Sequence, residues 1–233
     1  MPTDEPEAEA PAITWREQAV ARSLDSARVR AESRVQRFFD AALELLHDNA
    51  SGREFTVQEV VERSGQSLRS FYQYFGGKQE LLLALFEESV RSTADALRDT
   101  LAEETDPLNR LHRFVVEYYR LCRPASSRAS KKAPSRALAE FAQQLLTSDP
   151  AEAARAFVPL VSLFDEVLED AEAAGVIRSG IPRRRVAGVV LEAIMFNAFS
   201  ATISGPSEKS SDLDLGEELW DLIFHGIGAS SSK

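Results

Sequence analysis

The stretch from Thr56 to Leu81, TVQEVVERSGQSLRSFYQYFGGKQEL, decides the fold. Thr56 and Glu59 have the spacing of a capping box, in which each residue satisfies an amide at the start of a helix. Val57, Val60 and Val61 then fall on one face of a helix about two turns long. Gly65 ends it, because glycine enters the left-handed conformation at least cost. Ser67 is placed to cap a second short helix, predicted over Leu68 to Phe75. Two short helices joined by a tight, Gly-containing turn are the arrangement that sets its second helix into a DNA major groove.

At about 100° per residue, Leu68, Phe71 and Phe75 cluster within about 60° on the second helix and are expected to face a core. Arg69, Ser70 and Gln73 lie opposite, with no core to enter. Tyr72 and Tyr74 flank that polar face, each about 100° from its centre. Base-reading side chains thus sit at the middle, and hydroxyls sit at the edges where phosphates run. Gly76 and Gly77 stop the helix, and Lys78 opens the next, placed to meet a phosphate.

The whole pattern, with the aromatic run Phe71-Tyr72-Gln73-Tyr74-Phe75 and Lys78 three residues on, resembles the DNA-binding domain of the TetR family of regulators over roughly Arg34 to Leu82. The resemblance implies that Tyr72, Tyr74 and Lys78 hold the DNA backbone. It also implies that Ser67, Arg69, Ser70 and Gln73 lie in or near the groove, with Thr56 at the edge of the same surface. Two positions depart from the family's usual pattern: Gln66 stands where a small apolar residue is common, and Leu68 where a polar or basic one is. Leu68 either joins the core, as its angle suggests, or touches a thymine methyl.

The net charge of −10 is uneven along the 233 residues. Residues 1–12 carry four acids and no base, residues 13–78 hold ten Lys/Arg against nine Asp/Glu, and the remainder holds 17 against 24. The acidity therefore lies outside the motif, and the whole-chain charge says little about its partners. A weakly basic reading head predicts modest non-specific affinity and greater reliance on specific contacts. The single cysteine, Cys122, excludes an internal disulfide and fits a reducing cytoplasm. It ends an amphipathic helix, as an inert thiol more readily than as a redox sensor. The acidic, non-apolar start predicts no signal peptide. The apolar stretch Val186–Ile203 is interrupted by Glu192 and Asn197 and is short for a membrane span.

Met1 to Pro11 is rich in Pro, Glu and Ala and is expected to be disordered. Ile13 to Ser33 is helix-compatible, with Arg16, Arg22, Arg28 and Arg30 among acids. This arm is either a solvated helix or one that reaches a minor groove or phosphates. A helix from about Arg34 to His47 carries Val35, Phe38, Phe39, Ala42, Leu45 and Leu46 at core spacing. A long helix from Lys78 to about Glu104 has no internal Gly or Pro and suits a rigid lever. Asp106-Pro107 starts a helix that ends at Cys122. Residues 123–134, RPASSRASKKAP, form a loop, either simply solvated or a site for a phosphate or carboxylate such as an acyl-CoA. Helices follow over Pro134–Thr147, from Asp149 to about Ala174 with a kink at Pro159, over about 182–204, and over about Asp212–Ile227. Strand signals and repeats are absent.

The expected fold is all-α, with nine or ten helices. A tail and arm (1–33) precede a three-helix DNA-binding head (34–78), an effector-binding and dimerisation domain (79–229) and a short tail (230–233). His47, His112 and His225 have no metal-ligand spacing, no phosphate loop or nucleophile elbow appears, and Glu192 reads as an interface or helix-end contact. No enzyme, metal or cofactor is expected. The resemblance assigns the long helical remainder to effector binding and dimerisation. That implies a homodimer on a near-palindromic operator in double-stranded DNA, a repressor released by a small hydrophobic effector, and no membrane partner. Constitutive DNA binding without a ligand, or ligand binding with the motif as a relic, are the alternatives. The aromatic-rich set Phe86, Phe114, Tyr118, Phe141, Phe157, Phe164, Met195, Phe196, Asn197 and Phe199 is the expected effector lining, with Tyr118 or Asn197 orienting a polar end. The last two helices are expected to form a four-helix interface with their two-fold mates.

Overall fold

The computed structural model describes residues 14–48, 55–123, 136–204 and 212–227. Among these, ten helices occur and no strand: α1 (Trp15–Asp48), α2 (Val57–Ser64), α3 (Leu68–Tyr72), α4 (Lys78–Leu101), α5 (Pro107–Cys122), α6 (Arg136–Ser148), α7 (Pro150–Ala156), α8 (Val158–Ala173), α9 (Arg183–Ser204) and α10 (Asp212–Ile227). The acidic tail and nearly all of the basic loop expected at 123–134 lie outside the described residues. No described helix is long and apolar enough to cross a membrane.

The reading head forms around phenylalanine. Phe38 of α1 meets Phe71 edge-on at 5.5 Å and Phe75 at 6.1 Å, while Phe71 and Phe75 lie 5.4 Å apart. Such ring pairs are favourable beyond the area they bury. Val60 and Val61 of α2 complete this core. The capping residues act as their spacing predicts. Thr56 accepts from the Glu59 amide at 3.2 Å, and the Glu59 carboxylate accepts from the Thr56 amide at 2.7 Å. Gly65 takes φ 65°, and its amide and that of Gln66 return to the carbonyls of Glu62 and Val61.

Three expectations about helices change. The first helix begins at Trp15 rather than Arg34, because residues 15–33 contain no Gly or Pro to stop it. The recognition helix is shorter than expected. After Tyr72 the chain closes with three-residue turns, Gln73 N–H to the Ser70 carbonyl (3.3 Å) and Tyr74 N–H to that of Phe71 (3.0 Å), before the glycine pair. The helix after Asp149 is broken rather than kinked. It stops at Ala156 and restarts at Val158, with Pro159 in the first turn of α8, where its missing N–H costs nothing.

In the larger unit α4, α5, α8 and α9 pack around one core, with Phe114 stacked on Phe164 at 4.3 Å. Ion pairs fasten the layers. Arg110 of α5 meets Asp170 of α8 at 3.0 Å, and Arg183 at the start of α9 reaches Glu172, Glu169 and Asp165 of α8 at 3.2–3.7 Å. α10 docks on α5, where His112 meets Glu217 at 2.7 Å and sits edge-on to Trp220, which stacks on Phe224 at 4.7 Å. Gly175, at φ 70°, ends α8 with the Val176 amide donated to Ala171.

α9 explains its own apolar composition by having three faces. At about 100° per residue, Ala187, Val190, Ile194 and Ala198 point into the core. Arg184, Gly188, Leu191, Glu192 and Met195 line a groove. The third face, with Arg185, Val189, Ala193 and Phe196, is exposed.

Candidate nucleic-acid interface and effector groove

The two short helices present one polar surface. Arg69 and Gln73 are exposed, Tyr72 is 57% exposed and leans its ring edge-on against Phe71 at 5.5 Å, and Tyr74 is half-buried against the core. Ser67 caps α3 by accepting from the Ser70 amide at 3.1 Å, so its oxygen, like that of Thr56, already serves a helix end. The Ser70 hydroxyl is buried and has no hydrogen-bond partner among the described residues. Lys78 starts α4 with its ammonium over the Phe55 ring, 5.0 Å from the centroid, which holds the charge beside the motif. The Glu80 carboxylate accepts from the Gly76 amide at 2.5 Å and fixes the turn between α3 and α4.

Leu68 corrects one expectation. It is 43% exposed rather than part of the core. Phe71 and Phe75 fill the space beneath α3, and Leu68, first in the helix, overhangs its outer end. A leucine held there costs apolar exposure and is free to meet an apolar group on a partner.

The effector set divides. Phe86, Tyr118, Phe157, Met195 and Phe199 come together around an inner cavity of about 40 Å³, with Cys122 and Leu160. Phe114, Phe141 and Phe164 are packed core, the outcome that aromatic residues at helical spacing most often have. Phe196, 61% exposed, and Asn197, also exposed, point away from the cavity, so Asn197 does not orient a ligand there. Their helical phase follows the third face of α9, which sequence periodicity did not separate from the other two. Tyr118 and Cys122 face each other in the dry interior, where burial raises the tyrosine pKa and pushes the thiol up to about 12. Burial of this kind favours the protonated thiol, the opposite of what activates a sensor cysteine.

A larger groove of about 400 Å³ opens outside this cavity and shares Phe157 and Met195 with it. Its walls are Leu146 of α6, Pro150, Ala153 and Ala154 of α7, Val158 and Val161 of α8, and the second face of α9. The helix break at Phe157 spreads these walls. Gly188 leaves its floor open, since a Cβ there would meet nothing within 4 Å. Arg184 at the rim makes no ion pair among the described residues, although its neighbour Arg183 makes three. The sequence offers Gly188 as one of the small residues of this helix that allow close approach, but the nearly all-round apolar run carries no period that would place Gly188 and Arg184 on a groove.

Residues 38–85 match the family model for bacterial regulatory proteins of the tetR family. No curated protein sequence matches the chain. The fold is that of solved transcriptional regulators. The fatty acid degradation regulator FadR from Bacillus halodurans superposes with a TM-score of 0.63 at 19% identity, over 85% of this chain and 97% of that one. FadR from Bacillus subtilis, solved in complex with stearoyl-CoA, gives 0.63 at 17% identity over 82% and 98%. The ketosteroid transcriptional regulator of Mycobacterium tuberculosis gives 0.52 at 15% identity over 84% and 96%. Residues 38–85 thus carry a tetR-family helix-turn-helix head, and the chain as a whole has the all-α fold of these solved regulators.

Proposed function

We propose that this chain is a homodimeric repressor that reads a near-palindromic operator through α3 and leaves it when an amphipathic effector enters the groove beside α9. The carrying observation is the exposed row of Arg69, Gln73 and Tyr72 on a helix whose other side is locked by Phe71. In this reading Arg69 and Gln73 read base edges, Ser67 and Leu68 lie at the margin, Leu68 against a thymine methyl, and Ser70, expected to face the groove, turns its hydroxyl inward instead. Tyr72, Tyr74 and Lys78 grip phosphates, and Thr56 holds the opening of α2 beside them. Two copies would set their recognition helices about 34 Å apart, one turn of the duplex.

Two substitutions separate these roles. Arg69→Ala is expected to relax base preference by about 1–3 kcal/mol at one position of each half-site. Lys78→Ala is expected to weaken all sequences alike and make the salt dependence shallower by about one per subunit. Binding titrations against a panel of single-base variants at several salt concentrations check both. A uniform loss in each mutant would refute the division.

The effector has an apolar chain and an anionic head, of the acyl-CoA or fatty-acid kind. Three observations support it: a groove of the volume small-molecule sites have, Arg184 at its rim without an ion pair among the described residues, and an adjoining small cavity that shares Phe157 and Met195 with it. The stearoyl-CoA held by one structural relative agrees with that chemistry. Gly188→Leu fills the groove at a helical position that tolerates a side chain. The expected result is a variant that binds operator as before and no longer releases it when stearoyl-CoA or stearate is added. If neither compound moves operator affinity of the wild type, constitutive binding becomes the better reading. By linkage, operator DNA weakens effector binding by the same factor that effector weakens operator binding.

A further inference from the structure

We propose that the N-terminal part of α1, residues 15–37, is a second DNA-contacting element that lies along the phosphate backbone flanking the site read by α3. The proposal rests on the reading of residues 56–78 as the DNA-facing surface.

Among the described side chains of α1 the first that is buried is Phe38; residues 20–30 are all exposed, including Val20, Leu24 and Val29. Some 20 residues of helix, about 30 Å long, therefore project from the head uncovered. A helix of that length in water gains little from propensity alone and is ordinarily held by what covers it. Phe38 is also the residue that touches Phe71 of α3. The projection thus leaves the head at the end where the recognition helix sits.

Its charges are sorted. At about 100° per residue, Arg16, Arg22, Arg30, Arg34 and Arg37 fall within about 120°. The acidic positions 17, 25 and 32 fall within about 80° on the opposite side. Arg28 is the one arginine on the acidic side, and it is paired with Glu32 at 2.7 Å. Arg30, Arg34 and Arg37 make no ion pair among the described residues. A helix stabilised for solvent would interleave its signs at i,i+4 spacing. This one instead sorts a segment with six arginines and three acids into a basic ridge and an acidic ridge.

Beside the basic ridge, Val20, Leu24, Ala27 and Ala31 continue the line of Phe38 and Ala42 along α1. Because Phe38 faces α3, this strip looks towards the same side as the recognition helix. The basic ridge borders it at Arg16 and Arg34. A duplex running past the end of α3 then meets guanidinium groups at its phosphates and small apolar side chains at its sugar edges, contacts that position without reading sequence.

The test uses the full chain. A site is first selected by that chain from a randomised duplex pool. It is then made in two lengths, one ending at the protected core and one extended by about 10 bp, one helical turn, on each side. Wild type is expected to bind the longer duplex at least about tenfold more tightly at moderate salt. Arg16→Ala/Arg30→Ala/Arg34→Ala is expected to bind both lengths alike, with a salt slope shallower by about three per subunit. The substitutions lie on exposed helix and favour it, so folding is not at risk. Asp25→Asn, on the far ridge, keeps the gain from the longer duplex. Equal wild-type affinity for the two lengths overturns the proposal while leaving α3 as the reader. So does a triple variant that retains the gain, or one whose only change is its oligomeric state in sedimentation, which would make the strip a self-association surface. Loss of sequence-specific binding to both lengths by the wild type removes the underlying reading as well.

Discussion

Phe196→Asp is expected to yield a folded monomer that no longer holds operator DNA. Phe196 and Val189 are more than 60% exposed on the third face of α9, and Leu222 of α10 is 74% exposed. These are large apolar side chains left uncovered on two helices that both pack on α5, and exposed apolar surface of this kind marks an interface when it is contiguous. In a two-fold dimer each substitution occurs twice in one interface, and each places a carboxylate where an apolar side chain would be buried. The core is untouched, because the faces of α9 that hold Ile194 and Ala198 lie elsewhere on the helix. Sedimentation at micromolar concentration should show one chain where the wild type shows two. Operator affinity should fall by at least about 100-fold, since two linked half-site contacts become independent ones. A variant that stays dimeric and binds DNA normally would move the interface off α9.

The second large effect lies in the head. Phe71 is fully buried and meets Phe38, Phe75 and Tyr72 at 5.4–5.5 Å. Phe71→Ala removes the ring around which α1 and α3 assemble and is expected to cost about 3–5 kcal/mol. That is a large share of the stability of any domain. Hydrogen exchange should lose protection across residues 55–85 while α5 and α8 stay protected, and DNA binding should disappear. A destabilisation below about 1 kcal/mol would mean that the head does not depend on this cluster.

The parts of the fold legible in the sequence are those set by near neighbours. The Thr56–Glu59 box, the Gly65 stop, the Ser67 cap and the Asp106-Pro107 start depend on groups three or four residues apart, and periodicity reports them directly. Parts decided by distant packing were less legible. Leu68 has the angle of a core residue, but its position at the outer end of α3 leaves nothing for it to pack against. The break at Phe157 and the three faces of α9 depend on which helices lie alongside. An all-apolar helix shows that it needs covering without showing what covers each side. So Phe86, Tyr118, Phe157, Met195 and Phe199 emerge around a cavity, Phe196 and Asn197 do not, and Arg184 and Gly188 appear only once α7 and α8 stand beside α9.

α4 runs without a break from Lys78, beside the recognition helix, to Leu101 in the larger core, and its inward residues are buried from Leu81 to the end. Head and body are therefore joined by a shaft with a fixed phase. One residue inserted between Phe86 and Leu97 would turn the head about 100° about that shaft; three or four would restore the phase approximately but shift the head about 5 Å. In the proposed dimer either change would misalign two heads on one duplex while leaving the side chains proposed to face the bases intact. Length changes that a surface connection would absorb are barred along this segment, so the chain's descendants can vary α4 only by substitution. A reading head exchanged with another regulator would have to bring its own first turns of the helix, cut in register.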